Sequence, residues 1–178
     1  MLARKGEAFN ERIDADFCNR LRQPVLVRGS RGTSVRQALE RRVGAHDALS
    51  ALAADVDMWT EVFCDLLECA EIGVRIVAPD TAMCPAFHVD KVVLRAVMTY
   101  VGRGTQYLSN RDVQRTALGS APALVARPGA VIWMAQVNEW VLLKGETWPN
   151  NHGGGAVHRS PAVEHGRRLV VTWDELGF

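Results

Sequence analysis

The 178-residue sequence has no long hydrophobic run, almost no net charge and few cysteines. No apolar stretch approaches the ~18 residues that a membrane span needs. Residues 1–7 lack the apolar centre of a secretory signal, so a cytoplasmic protein without a membrane partner is expected. With 21 basic and 20 acidic side chains the net charge is +1, which argues against a nucleic-acid partner. Cys18, Cys64, Cys69 and Cys84 form no C-x-x-C pair. That excludes a zinc ribbon or a disulfide framework and leaves four buried thiols as the expectation. A phosphate loop, a G-x-S-x-G elbow and an H-E-x-x-H helix are also missing. Gly153, Gly154 and Gly155 follow a Pro-Asn-Asn turn rather than opening a helix, so they are not a dinucleotide fingerprint.

What is present suits one globular domain. Apolar residues make up 48% and charged residues 23%, and a chain of this length buries roughly 70% of its unfolded surface without needing a staple. Charge is blocked along the chain: residues 1–44 carry a net +5, residues 45–90 a net −8 and residues 91–178 a net +4. Residues 1–32 read as an irregular or extended lead-in. Thr33 or Ser34 caps a helix that ends near Gly44, a second helix covers 45–54, and a third starts at Asp55 or Asp57 and closes at Gly73. Beyond Gly73 the period changes to short β-branched and aromatic runs at 74–77, 86–89, 92–101, 123–125, 131–134, 140–143, 156–157 and 169–173, separated by Gly and Pro. Helices first and strands afterwards indicate an α+β, mainly β, protein built as a sandwich, jelly roll or barrel. The expected division is a helical part over 1–73 packed on a strand-rich core over 74–178.

The candidate chemistry starts at Phe87-His88-Val89-Asp90. In a strand, residues two apart share a face, so His88 and Asp90 project together. Two histidines and one carboxylate make the facial triad of non-haem iron(II) oxygenases; an H-x-D pair alone also fits a surface or hydrogen-bonded pair. Far downstream, His158 is followed by Pro161, Val163 and Gly166, then by Arg168 ten positions on, then by the apolar run Leu169 to Trp173. By alternation Arg168, Val170 and Thr172 share one face, and Arg167, Leu169, Val171 and Trp173 share the other.

These elements together resemble the signature of the 2-oxoglutarate- and iron(II)-dependent dioxygenases, particularly the prolyl-hydroxylase-like branch. Residues 99–108 and 143–149 are also similar to an uncharacterised bacterial family of unknown function. The resemblance implies a double-stranded β-helix (jelly roll, cupin-like) with N-terminal buttressing helices. It implies Fe(II) held by His88, Asp90 and His158, with 2-oxoglutarate as cosubstrate and Arg168 on its distal carboxylate. Thr99 or Tyr100 falls where a hydroxyl helps to hold the cosubstrate, and Arg95, on the Thr99 face, reaches the cosubstrate or substrate. The implied activity is hydroxylase-type oxygenation of an unidentified small molecule or protein, with loops 102–120 and 145–155 selecting it. The alternative is a cupin-like metal-binding or sensing protein without 2-oxoglutarate chemistry. Of the other histidines, His152 belongs to a glycine-rich loop, and His46 and His165 are expected at the surface. Trp59, Trp133, Trp140 and Trp173 are expected in the core, while Trp148 and Lys144 are candidates for the substrate mouth.

Overall fold

Asp14 accepts a hydrogen bond from the Phe17 backbone N–H and so starts a helix, α1 (Ala15–Arg20), in the stretch read from sequence as an irregular lead-in. The computed structural model describes residues 10–163 and 167–175, and the His165 expectation lies outside them. An extended run, β1 (Val25–Gly29), follows α1, and then α2 (Arg36–Val43) ends at Gly44 with φ +74°. The start of α2 is capped both locally, by Ser34 Oγ accepting from the Arg36 N–H, and by a residue distant in sequence. Asp57 accepts from the Val35 N–H and from the Ser34 hydroxyl.

The two helices expected over 45–73 are one, α3 (Leu49–Leu67). Asp55 and Asp57 suggest a break, but their carboxylates are occupied elsewhere, Asp55 by the Tyr100 hydroxyl and Asp57 by the start of α2. The helix stops at Glu68, which adopts φ +51°, and Gly73 lies inside the next strand instead of closing the helix.

The remaining elements are β2 (Ile72–Val77), β3 (Leu94–Val101), β4 (Gln106–Leu108), two single 3₁₀ turns, α4 (Pro122–Val125), β5 (Ile132–Met134), β6 (Trp140–Lys144), β7 (His158–Arg159) and β8 (Leu169–Glu175). The strand expected at 123–125 is therefore a helical turn; Pro122 at its first position pre-sets the helical φ. The strand expected at 156–157 begins two residues later. At 86–89 the regular pairing is a single bridge, His88 to His158.

All strand pairs are antiparallel, in a five-stranded sheet of order β1-β2-β8-β3-β6 and a three-stranded sheet of order β5-β4-β7. The His88 bridge adds one residue to the free side of β7. Alternation along the central strands divides the larger sheet. Leu169, Val171 and Trp173 of β8, with Ala96, Met98 and Tyr100 of β3, join Leu52, Val56 and Phe63 of α3 in the main core. The Trp173 indole donates to Thr60 Oγ1, whose hydroxyl donates in turn to the Val56 carbonyl. The opposite face carries a smaller cluster, Val77, Val97, Leu143 and Val170, and beside it lies the candidate site.

Several expectations change at the surface. Trp133 is half exposed rather than core, and of the four thiols only Cys18 and Cys64 are buried. The His46 ring is largely covered and lies 4.7 Å from the Phe17 ring, while Asp14 comes within 3.5 Å of its Nε2. Among the described residues no helix is long and apolar enough to cross a membrane.

Candidate metal centre

His88 and His158 face each other across the isolated bridge, their backbones exchanging N–H···O bonds of 3.0 Å in both directions. Their rings are 4.5 Å apart. Asp90, two residues beyond His88, brings its carboxylate to 3.5 Å from His88 Nε2 and 3.2 Å from His158 Nε2. The three residues form the one group of potential metal ligands found among the described residues, with ligand atoms within 4.8 Å of one another.

The orientation of both imidazoles is fixed from behind. His88 Nδ1 lies 3.0 Å from the Ala86 carbonyl, and His158 Nδ1 lies 3.0 Å from the Ala156 carbonyl. A carbonyl only accepts, so in each ring Nδ1 carries the proton and Nε2 presents its lone pair to Asp90. Asp90 Oδ2 is buried without a directed hydrogen bond, although Arg95 Nη1 is 2.9 Å away. Two lone pairs and a carboxylate thus converge, an arrangement that a proton or a cation must relieve. Burial disfavours the Asp90 anion, but the His158 and His88 rings, which donate to it when they take up a second proton on Nε2, and the Arg95 charge outweigh that effect and hold the carboxyl well below the usual range. The same contact with Asp90 raises the His88 imidazole, against the effect of burial.

A divalent ion fits this donor set. Ligand atoms about 2.1 Å from an ion and at right angles to one another are about 3 Å apart, close to the separations found here. Two imidazoles and one carboxylate, with no thiolate, suit a first-row metal and leave coordination positions open. Backbone bonds brace the Asp90 segment, since the Glu146 N–H donates to the Asp90 carbonyl and the Gly145 N–H to the Val93 carbonyl. A Cβ on Gly145 would lie 1.8 Å from the Val92 carbonyl oxygen, which explains a glycine there.

Arg168 enters the same pocket from the start of β8. It is 2% exposed and forms no ion pair with a described carboxylate. Its Nε donates to the Arg103 carbonyl at 3.0 Å, and its Nη2 makes long contacts with Thr105 Oγ1 (3.4 Å) and Thr99 Oγ1 (3.5 Å). Burial pushes the guanidinium down to about 10. The pocket between Arg168 and the triad has about 60 Å³ for the centres of water-sized groups, several times what one water requires. Arg167 points to the helical side and donates to the Ile13 carbonyl, as strand alternation anticipates.

The other candidate residues separate. Thr99 lies on the Arg168 side of β3. Tyr100 does not reach the pocket; its ring is in the main core and its hydroxyl donates to Asp55. Arg95 lines the pocket but is held by Asp174 through two bonds of 2.5 and 3.0 Å and by Asp90 through its third nitrogen. His152 is exposed and outside the triad, and Lys144 lies over the Trp148 ring, 4.5 Å from its centre. Sequence reasoning missed Asp174 and Thr105 and set Cys84, close to His88, aside as a remote nucleophile option; Thr105 and Cys84 both line the pocket. Alternation from Arg168 through Val170 and Thr172 reaches Asp174, so that signal was present. Thr105 and Cys84 carry no comparable pattern.

Comparison with known proteins gives one family. Residues 4–174 match the model described as a protein of unknown function (DUF1826). No curated protein matches. Among solved structures, the crystal structure of dioxygenase for auxin oxidation (DAO) in rice is similar over 97% of this chain and 68% of that one, with 11% identity and a TM-score of 0.48.

Proposed function

The chain belongs to the DUF1826 family, described only as of unknown function, and we propose that it is a non-haem oxygenase of the hydroxylase type, dependent on iron(II) and 2-oxoglutarate. One observation carries the reading: a two-histidine, one-carboxylate set shares a pocket with a buried arginine that has no carboxylate of its own among the described residues. The triad is a place for a cation, and Arg168 is a place for an anion. A ligand that chelates a metal at one end and carries a carboxylate at the other satisfies both.

In this reading His88, Asp90 and His158 hold the metal. Arg168 takes the distal carboxylate through its planar fork, with the Thr99 and Thr105 hydroxyls beside it. Arg95, anchored by Asp174, keeps Asp90 ionised and turned toward the histidines. Val97 and Val170 form an apolar wall that limits water around the chelate. Iron(II), when bound, supplies dioxygen activation coupled to decarboxylation of the 2-oxo acid. The strand orders β2-β8-β3-β6 and His88-β7-β4-β5 support reading the two sheets as a double-stranded β-helix. Residues 1–73 then buttress a metal-binding core over 74–178 in a cytoplasmic enzyme.

Anaerobic titration of the iron-loaded protein with 2-oxoglutarate tests the reading. The expected result is a weak visible metal-to-ligand charge-transfer band that is lost in Arg168→Met. Iron binding with no such band at saturating 2-oxoglutarate overturns it in favour of a cupin-like metal-binding protein.

A further inference from the structure

The register of the smaller sheet places a second set of rings beside the triad. His158 pairs with Tyr107 of β4, and Tyr107 pairs with Trp133 of β5. His88 bridges His158 on the other side. Directly paired residues of adjacent antiparallel strands project from the same face. His88, His158, Tyr107 and Trp133 therefore form one row across the sheet, on the face that looks into the pocket. Thr105, two residues before Tyr107 and on the same face of β4, lines the pocket beside Arg168. At about 4.8 Å per strand, Tyr107 begins about 5 Å from His158 and Trp133 about 10 Å from it.

The outer end of this row is not covered by the fold, whereas His158 at its inner end is buried. Tyr107 is half-buried and Trp133 is 51% exposed, although the sequence pattern alone assigns Trp133 to the core. The chain from Pro128 to Asn138 carries no charged side chain. The register leads from His88 and His158 through Tyr107 to Trp133, so an occupant resting on Trp133 and Tyr107 extends toward the triad. Flat π-faces on a segment that carries no charged side chain of its own select a planar unsaturated ring over an extended peptide or a saturated chain.

We infer that Tyr107 and Trp133 form the substrate shelf of this site and that the substrate class is a compound carrying a planar aromatic ring. The inference rests on the oxygenase reading for its chemistry, but ring binding is measured without turnover. Trp133, outside loops 102–120 and 145–155, then joins Tyr107 in setting specificity.

The test uses 2-naphthol and its ring-saturated counterpart decahydro-2-naphthol as probes of the full-length protein. Binding is followed by saturation-transfer NMR, and iron(II) and 2-oxoglutarate binding are followed separately. The expected result is tighter binding of 2-naphthol than of the saturated probe, with a loss of about five- to tenfold in Trp133→Ala and in Tyr107→Leu and unchanged iron(II) binding. Equal binding of both probes, or 2-naphthol binding untouched by either substitution, overturns the shelf. So does a dimer that Trp133→Ala dissolves while 2-naphthol binding persists, because β5 is then an interface between two copies. Ring-selective binding that depends on Trp133, in a protein that shows no 2-oxoglutarate band, leaves the shelf standing and removes the oxygenase reading instead.

Discussion

Arg168 is the residue at which stability and function oppose each other. A guanidinium that is buried without a counter-ion costs folding free energy until a ligand supplies one. Burial lowers its pKa from the ordinary guanidinium range to about 10 in the folded protein, so the charge is present in both states below pH 10 and the cost is complete at neutral pH. Replacing it with an apolar side chain of similar length removes that cost. We expect Arg168→Met to stabilise the ligand-free protein by about 1–2 kcal/mol, read as a rise in melting temperature of roughly 2–4 °C per kcal/mol. The same variant is expected to lose the stabilisation that 2-oxoglutarate gives the metal-loaded wild type. Above about pH 10 the difference between the ligand-free proteins narrows. An equal or lower melting temperature for Arg168→Met shows that the guanidinium is not an unsatisfied charge.

At the scale of elements, the sequence was most informative where spacing fixes geometry. His88 and Asp90, two apart, meet, and Arg168 enters the pocket face of β8 as alternation requires. It was least informative where a partner distant in sequence decides. Asp57 has the chemistry of a local cap, yet it caps α2 from the middle of α3, and Tyr100 shares a strand with the site but turns to Asp55. Trp133 has a core composition around it and an exposed position because β5 is an edge strand. Gly102, where β3 turns past Arg168, shows how element and site are coupled. Its φ is +85°, and a Cβ would lie 2.4 Å from the Arg167 carbonyl oxygen and 3.2 Å from Arg168 Cα. Gly102→Ala is expected to cost at least about 1–2 kcal/mol from the left-handed backbone alone and to weaken 2-oxoglutarate binding while iron(II) binding persists. Denaturant unfolding and the charge-transfer titration measure the two effects separately.

Across the whole molecule, the four thiols report on the pocket. Cys18 and Cys64 are buried, and burial pushes both thiols up. Cys84 is exposed and lines the pocket with His88 and Arg95. With a thiol-specific disulfide reagent, Cys84 is expected to react first, Cys69 more slowly, and Cys18 and Cys64 only on unfolding. Iron(II) with 2-oxoglutarate, added anaerobically, is expected to slow the Cys84 phase. If ligands leave that phase unchanged, they bind elsewhere.

Strand β8 lies at the centre of the larger sheet, between β2 and β3, and follows β2 by more than ninety residues of sequence. During synthesis at about 5–20 residues per second, β2 emerges roughly 5–20 s before the strand it must pair with. Through that interval β2 and β3 each expose a hydrogen-bonding edge to other nascent chains. The growing chain therefore carries these edges unpaired until β8 inserts, which brings Arg168 to the pocket in the same step.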